Sequence, residues 1–312
     1  MAVSRRIIID TDPGHDDAFA LLLAWAAPEE LVILGITTVA GNVPLDKTTY
    51  NALRLRDLAS AASPIYRGCS RPMVNDLVTA EYVHGESGLD GPNLPSPRRG
   101  VEAMHAIDFL VETLQSAADP VTVCLLGPMT NLAMALNKEP DIAAKIDQCV
   151  IMGGSFAAGG NVTPTAEFNV FVDPHAAHVV LTSGVPLVMM PLDVTHQAQA
   201  LPHRVAPLHM LRTPVGVAVT EMLRFVERYD VAHKGFAGFP LHDPTVIAYL
   251  LEPGLFELRP GYVSVMLDAG PGHGMTVGRW EIDEGLPANG RVAFGLSADP
   301  YFELIAERLA TF

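Results

Sequence analysis

The stretch Arg5-Arg6-Ile7-Ile8-Ile9-Asp10-Thr11-Asp12-Pro13-Gly14-His15-Asp16-Asp17 runs directly into the apolar segment Ala18 to Ala27, and this junction decides the fold. Ile7 to Ile9 is a short β-branched run that ends at an Asp/Pro/Gly turn, and Ala18 to Ala27 reads as a helix. Strand, turn and helix in that order predict the opening unit of an α/β sheet. The alternation recurs outward from it. Leu31 to Val39 reads as a strand, Lys47 to Ala62 and Val101 to Ala117 as helices, Val121 to Leu126 as a strand, Asn131 to Leu136 as a helix and Gln148 to Met152 as a strand. Asp173 to Ser183 follows as a helix with Pro174 in its first turn, and Val185 to Pro191 as the next strand. Strands apolar on both faces and separated by helices predict an open, mostly parallel, Rossmann-like sheet covered by helices on both sides.

Beyond Pro202 the pattern turns helical, most clearly at Val215 to Tyr229 and Pro244 to Leu251. The end is a small mixed part: Tyr262 to Leu267, Thr276 to Trp280 and Arg291 to Gly295 read as strands before a helix around Pro300 to Ala310. No internal repeat, low-complexity tract or linker interrupts the chain, which predicts one α/β domain over residues 1–312 with inserted loops.

Composition narrows the partners. With 35 acidic and 20 basic side chains the formal net charge is −15, a surface that repels phosphate backbones and anionic lipid, so nucleic acid and membranes are not expected partners. Cys69, Cys124 and Cys149 are odd in number and show no paired spacing, which supports neither a disulfide framework nor a zinc ribbon and fits a reducing cytoplasm. The apolar run behind Arg5 and Arg6 ends at Asp10, too short for a signal peptide or a membrane span.

In an open parallel sheet, ligands bind beyond the carboxyl ends of the strands. There this chain places Asp10 to Asp17, then Gly41-Asn42, then Gly153-Gly154 with a polar loop holding Asn161, Glu167 and Asn169, and then Asp193. Four aspartates within eight residues repel one another at a turn against a buried sheet. Helix capping by Asp16 or Asp17 accounts for one or two of them. The remaining clustered hard oxygens, without thiolates or paired imidazoles, suit Ca²⁺ or Mg²⁺. An EF-hand is excluded, because the twelfth position counted from Asp10 is Leu21 rather than Glu. No Gly-x-x-x-x-Gly-Lys loop exists, and Gly153-Gly154 to Gly159-Gly160 lacks dinucleotide spacing.

Asp10-Thr11-Asp12-Pro13-Gly14-His15-Asp16-Asp17 resembles the N-terminal signature of the inosine-uridine preferring nucleoside hydrolases. Further blocks follow in family order: Thr38 to Asn42, His84 to Leu89, Gly127 to Ala133, Ala166-Glu167-Phe168-Asn169, Asp173-Pro174 and Leu241-His242-Asp243-Pro244. Together they span residues 7 to about 251; nothing after Glu252 carries a signature. The resemblance implies a Ca²⁺-dependent, homo-oligomeric (dimer or tetramer) hydrolase that splits a ribonucleoside, of pyrimidine or inosine type, into base and ribose. It places the metal on Asp12, Asp17, Asp243 and the backbone carbonyl of Leu126. Asp12 is also implied as the base that activates a metal-held water, with Asn42 beside the base and water. Asp16 and Asn169 are implied at the ribose diol, Asn161 and Glu167 at its 5′ end, and His242 where the leaving base is protonated.

That assignment is chemically coherent, since the reaction passes through an oxocarbenium-like state that carboxylates and amide oxygens stabilise. Other residues carry two readings. Asp243-Pro244 is also an ordinary helix start, N-cap then Pro at N1. Glu167 and Asn169, flanking Phe168, share a face if the segment is extended, which would place both polar groups together at a site, with Phe168 a further candidate substrate contact. His84 is a base contact or a loop histidine, and Tyr229, His233 and Phe236 form a lid over the base or a solvent loop. Purine-specialised relatives carry tryptophan where His242 stands; Trp25 and Trp280 lie elsewhere, which argues against strict purine specificity. His15 replaces an aliphatic residue of many relatives and takes no role. Two rival readings remain: a haloacid-dehalogenase-type phosphohydrolase, which shares the strand and Asp-x-Asp but not Gly14, and a catalytically inactive ribose-binding protein.

Overall fold

Nine strands among the described residues pair into one sheet: β1 (Arg5–Thr11), β2 (Leu31–Thr38), β3 (Ile65–Arg67), β4 (Val121–Leu125), β5 (Ile146–Met152), β6 (Leu187–Met190), β7 (Phe256–Val265), β8 (Thr276–Arg279) and β9 (Gly290–Leu296). Their spatial order is β3-β2-β1-β4-β5-β6-β9-β7-β8. The computed structural model describes residues 4–233, 235–283 and 285–312, with side chains throughout except at 228–233. Strands β1 to β6 and β9 run parallel, while β7 is antiparallel to both β9 and β8. The mixed C-terminal part therefore extends the main sheet. No helix among the described residues is long and apolar enough to cross a membrane.

The triple isoleucine explains the layers. Ile7 and Ile9 join one buried cluster and Ile8 the other, and Cys124 and Leu126 alternate likewise with Val123 and Leu125. One face is covered by the helices His15–Trp25, Pro214–His233, Pro244–Leu251 and Ala298–Leu309, the other by Ala106–Ser116, Thr130–Lys138 and Pro174–Thr182. Chain direction across the sheet reverses between β1 and β4, since β2 and β3 lie to one side and β5 and β6 to the other. A crevice opens at such a reversal, and Asp12 and Leu126 stand just beyond the ends of these two strands.

Several boundaries differ from expectation for identifiable reasons. The helix read from Val101 starts at Ala106, because the His105 imidazole caps it by accepting the Ile107 N–H at 3.2 Å. The helix read over Lys47 to Ala62 is Leu45–Leu58. Strand β7 begins at Phe256 rather than Tyr262; Glu257, Arg259 and Pro260 hide it from a periodicity reading. The three-residue edge strand β3 is too short to show a period at all.

Candidate active site

Two helix N-termini meet at the crevice. The helix His15–Trp25 packs against Pro244–Leu251, which brings Asp16 and Asp17 of one first turn beside Asp243, the residue preceding the other. One oxygen from each of Asp16, Asp17 and Asp243 lies within 4.8 Å of the others, and all three residues are buried. The partial positive charge of two helix ends offsets part of their repulsion. Among the described residues no Lys or Arg pairs with Asp17 or Asp243.

The local turn fixes this geometry. Asp17 Oδ1 accepts from Thr11 Oγ1 at 2.5 Å and from the Asp12 N–H at 3.1 Å, while Oδ2 accepts from the Gly14 N–H at 2.9 Å and Asn42 Nδ2 at 3.1 Å. The N-cap is thus Gly14, not Asp16 or Asp17; Asp17 caps by reaching back from the third helical position. Asp12 lies outside this triad. The cause is the Asn42 N–H, which binds Asp12 Oδ2 at 2.7 Å, with Gly41 and Gly127 closed around the carboxylate. A Cβ on Gly41 would lie 2.1 Å from Oδ2 and one on Gly127 2.2 Å from Oδ1, so both positions require glycine. Among the described residues Asp12 Oδ1 has no hydrogen-bond partner although it is fully buried. Burial and the neighbouring carboxylates hold Asp12 and Asp243 well above the usual carboxylate range.

Asp243 also settles the two readings of its Asp-Pro pair in part. It is the N-cap of Pro244–Leu251, yet its side chain makes no cap hydrogen bond. The carboxylate faces the other aspartates instead, since burial and the fields of Asp16, Asp17 and Asp12 all act on it.

A cleft opens over this cluster. It is lined by Asp16, Asn42, His84, Leu126, Asn161, Glu167, Phe168, Asn169, His242 and Asp243, so the structure gathers most of the residues picked from the sequence. Glu167, Phe168 and Asn169 arrive there by another route than expected. The segment is not extended: Glu167 caps the helix Phe168–Val172 by accepting the Asn169 and Val170 N–H groups at 2.9 and 3.2 Å, and it also takes the Gly154 N–H at 3.0 Å. Burial pushes its carboxyl up to about 7 against the pull of these donors. Asn161 Oδ1 accepts the Phe168 N–H at 2.9 Å, and Asn169 Nδ2 donates to the Leu126 carbonyl at 2.7 Å. His242 Nδ1 lies 2.7 Å from Thr195 Oγ1, its ring packed on His196 and Phe239.

The side chains of Tyr229 and His233 lie outside the described residues; Phe236 packs its ring on His196. The lining residues Ala80, Tyr82, Val83, Met152 and Phe239 were not singled out from the sequence. Tyr82 and Val83 sit on the four-residue helix Glu81–His84, too short for a period, though their adjacency to the His84 block was a usable signal. The three cysteines are free, and burial pushes the Cys69 and Cys124 thiols up to about 12.

The family model described as "inosine-uridine preferring nucleoside hydrolase" matches residues 7–303. The chain is 44% identical over 313 residues to a Shewanella (strain ANA-3) protein named pyrimidine-specific ribonucleoside hydrolase RihA, covering 99% of this chain and 98% of that one. A Photobacterium profundum protein of the same name is also 44% identical, covering 99% and 100%. Among solved structures, a plant nucleoside hydrolase, PpNRh1, superimposes with a TM-score of 0.91 at 30% identity over 99% of this chain and 100% of its own. A purine-preferring ribonucleoside hydrolase from Gardnerella vaginalis gives 0.91 at 30% identity, covering 98% of each chain.

Proposed function

The chain belongs to the inosine-uridine preferring nucleoside hydrolase family and is a ribonucleoside N-ribohydrolase, and from that premise we propose that it acts on pyrimidine ribonucleosides with the help of a bound divalent cation, Ca²⁺ by its donor chemistry. The observation that carries the reading is the buried gathering of Asp12, Asp16, Asp17 and Asp243 beneath one cleft, with Asp12 Oδ1 unpartnered among the described residues. All donors are hard oxygens, which fits a divalent ion of the Ca²⁺ class. Asp12, Asp17, Asp243 and the Leu126 carbonyl would hold it. Bound there, such an ion would neutralise the carboxylates and lower the pKa of a water molecule.

The remaining chemistry belongs to the chain. Asp12 Oδ1 takes the proton from the attacking water, while the Asn42 N–H fixes Oδ2 and so the orientation of the base. Asp16 and Asn169 bind the ribose diol, Asn161 and Glu167 its 5′ hydroxyl, and their oxygens face the positive charge that develops on the sugar. Thr195 orients His242 through Nδ1, and His242 delivers a proton to the departing base. Pyrimidine preference rests on the names of the 44% identical relatives and on His242 standing where purine-specialised relatives carry tryptophan.

A panel of nucleosides and p-nitrophenyl phosphate, followed for free ribose and free phosphate, tests the reading. Ribose release from uridine and cytidine ahead of inosine is expected. Phosphate without ribose would hand the protein to the phosphohydrolases, and binding of ribose without turnover to the inactive class. His242→Ala should lower kcat on natural nucleosides by roughly 10²- to 10⁴-fold and on p-nitrophenyl riboside, whose phenolate leaves unaided, far less. Equal losses would remove His242 from the proton path.

A further inference from the structure

Nothing after Glu252 carries a sequence signature, yet the hairpin of β7 and β8, with its turn at 266–275, holds the cleft wall that carries Asn161, Glu167, Phe168 and Asn169. Thr276, buried at the start of β8, donates to the Ser155 carbonyl at 2.7 Å and accepts the Ser155 N–H at 2.9 Å. The Pro271 carbonyl accepts Thr165 Oγ1 at 3.0 Å. A Cβ on Gly274 would lie 2.9 Å from Phe171 Cα, so the turn meets the helix Phe168–Val172 backbone to backbone. The neighbouring His273 ring stands edge-on to Phe171 at 6.1 Å. Its Nδ1 lies 3.1 Å from the Leu267 carbonyl and its Nε2 3.0 Å from Asn75 Nδ2. Asn75 belongs to the opposite wall, in the segment that leads to the lining residues Ala80 and His84.

We propose that the hairpin of β7 and β8 sets the spacing between the two walls of the nucleoside cleft, and that His273, which ties Asn75 of one wall to Phe171 of the other, is its positioning residue.

Between the walls lies a small apolar cluster of Ala80, Phe168 and Val172, with Leu77 and Val162 packed against it, apart from the two clusters that flank the sheet. Apolar contact is non-directional, so a cluster this small leaves the distance between the walls soft. Hydrogen bonds make it definite. The segment from Met73 to Ala80 is anchored at its ends, where the Met73 N–H binds Asp173 Oδ2 at 2.9 Å and the Ala80 N–H binds the Asn42 carbonyl at 2.8 Å. His273 holds it between those points. The Leu267 carbonyl accepts only, so His273 Nδ1 donates to it and Nε2 accepts from the Asn75 amide. A continuous chain of hydrogen bonds thus runs from the hairpin backbone through the imidazole to the far wall. The buried aspartates stand on other elements, the helices His15–Trp25 and Pro244–Leu251, and do not depend on it. Loosening this tie therefore weakens the grip on the substrate as a whole, in ground state and transition state alike, which raises KM and spares kcat.

This inference rests on the nucleoside reading, yet its first test requires no turnover. Amide hydrogen exchange in His273→Ala should quicken across residues 73–84 as well as in the turn 266–275; faster exchange confined to the turn overturns the proposal. A protein that splits no nucleoside would defeat the functional reading and leave this measurement standing. With uridine, His273→Ala should raise KM by up to about tenfold, the effect of one lost hydrogen bond, with kcat within about twofold of the parent. A merely structural role lowers the amount of folded enzyme, hence apparent kcat, and leaves KM where it was; that result also overturns the proposal. Asn75→Ala, at a half-buried position on the other wall, should reproduce both effects, and the double variant should be no worse than either single one. Losses that add would mean that the two residues do not act through each other. His273→Gln carries an amide oxygen that reaches the place of Nε2 and should restore most of KM and of the exchange protection, although it forfeits the bond to Leu267. Gln no better than Ala would remove the bond to Asn75 from the argument and the proposal with it.

Discussion

Of the chain's five Asp-Pro pairs, Asp173-Pro174 and Asp243-Pro244 are both buried and each opens a helix with proline at its first position. By local sequence they are the same signal. In the structure Asp173 is fully used: Oδ1 accepts the Ala176 N–H at 3.0 Å as a cap, and Oδ2 accepts Thr130 Oγ1 at 2.7 Å and the Met73 N–H at 2.9 Å. Asp243 makes no cap bond and sits instead among carboxylates. A buried carboxylate that neutralises helix donors stabilises a fold, whereas one that faces others of its kind costs stability and is retained where it binds something. The helix to which each belongs does not distinguish them; the helix packed opposite does.

Exchanging the roles is the strongest way to break this contrast. Asp243→Asn should reduce ribose release by at least roughly 10²-fold, by analogy with the loss of groups that hold a metal site. It should also raise the melting temperature in excess chelator, because one buried charge leaves the cluster. A variant that is both inactive and less stable than the parent under chelation would assign Asp243 to the scaffold after all.

Asp173→Ala should do the opposite. The cap is worth ~1 kcal/mol, and two further stranded donors bring the loss to about 3 kcal/mol. Urea unfolding reads that loss, while kcat of the folded fraction should stay within about threefold of the parent. A collapse of kcat with unchanged stability would erase the distinction between the two pairs.

A cation sharpens it further. An ion that binds only the folded state at a hundred times its Kd contributes about 2.7 kcal/mol, seen as an upward shift in Tm on adding Ca²⁺ to chelated protein. The shift should persist in Asp173→Ala, from its lower starting point, and vanish in Asp243→Asn. Equal shifts in both would place the ion elsewhere.

The same contrast explains what the sequence could reveal. The parallel core was legible because Ile7 to Ile9 and Val121 to Leu126 are apolar on both faces, a pattern that only a doubly covered sheet satisfies. The short edge strand at Ile65 and the helix Glu81–His84 were not, since three or four residues display no period. At the site, the ordered motif blocks pointed to the residues that line the cleft, and the glycines at 41 and 127 were visible as letters. Their reason was invisible, because it is the approach of Asp12 from another strand end. Which aspartate joins the tight triad depends on the Asn42 N–H, a tertiary contact that spacing does not encode. Glu167 and Asn169 reached the cleft despite a misread backbone: cap and second helical position stand close together, much as alternate positions of a strand would.

Asp10 falls between the two Asp-Pro cases and gives the smallest predicted effect. Its Oδ1 is bonded as Asp173 is, accepting from Asn131 Nδ2 at 2.7 Å and from Thr37 Oγ1, while its buried Oδ2 has no partner among the described residues. Burial pushes the carboxyl up from 3.8 to about 7, the two donors and the field of Asp17 adjusting the result. Between pH ~4 and ~7 the native state therefore keeps a proton that the unfolded chain has already released. Raising the pH through this window favours unfolding, and below it both states are protonated and the effect disappears. In chelated protein, Tm should fall as the pH rises through this window, with Asp12 and Asp243 adding slope of the same sign. Asp10→Asn resembles the neutral acid in shape, so its Tm should fall less steeply over the same range, and the difference in slope isolates Asp10 from the cluster. Parallel slopes would mean that Asp10 is ionised in the native protein, held by Thr37 and Asn131 as firmly as Asp173 is held by its own three donors.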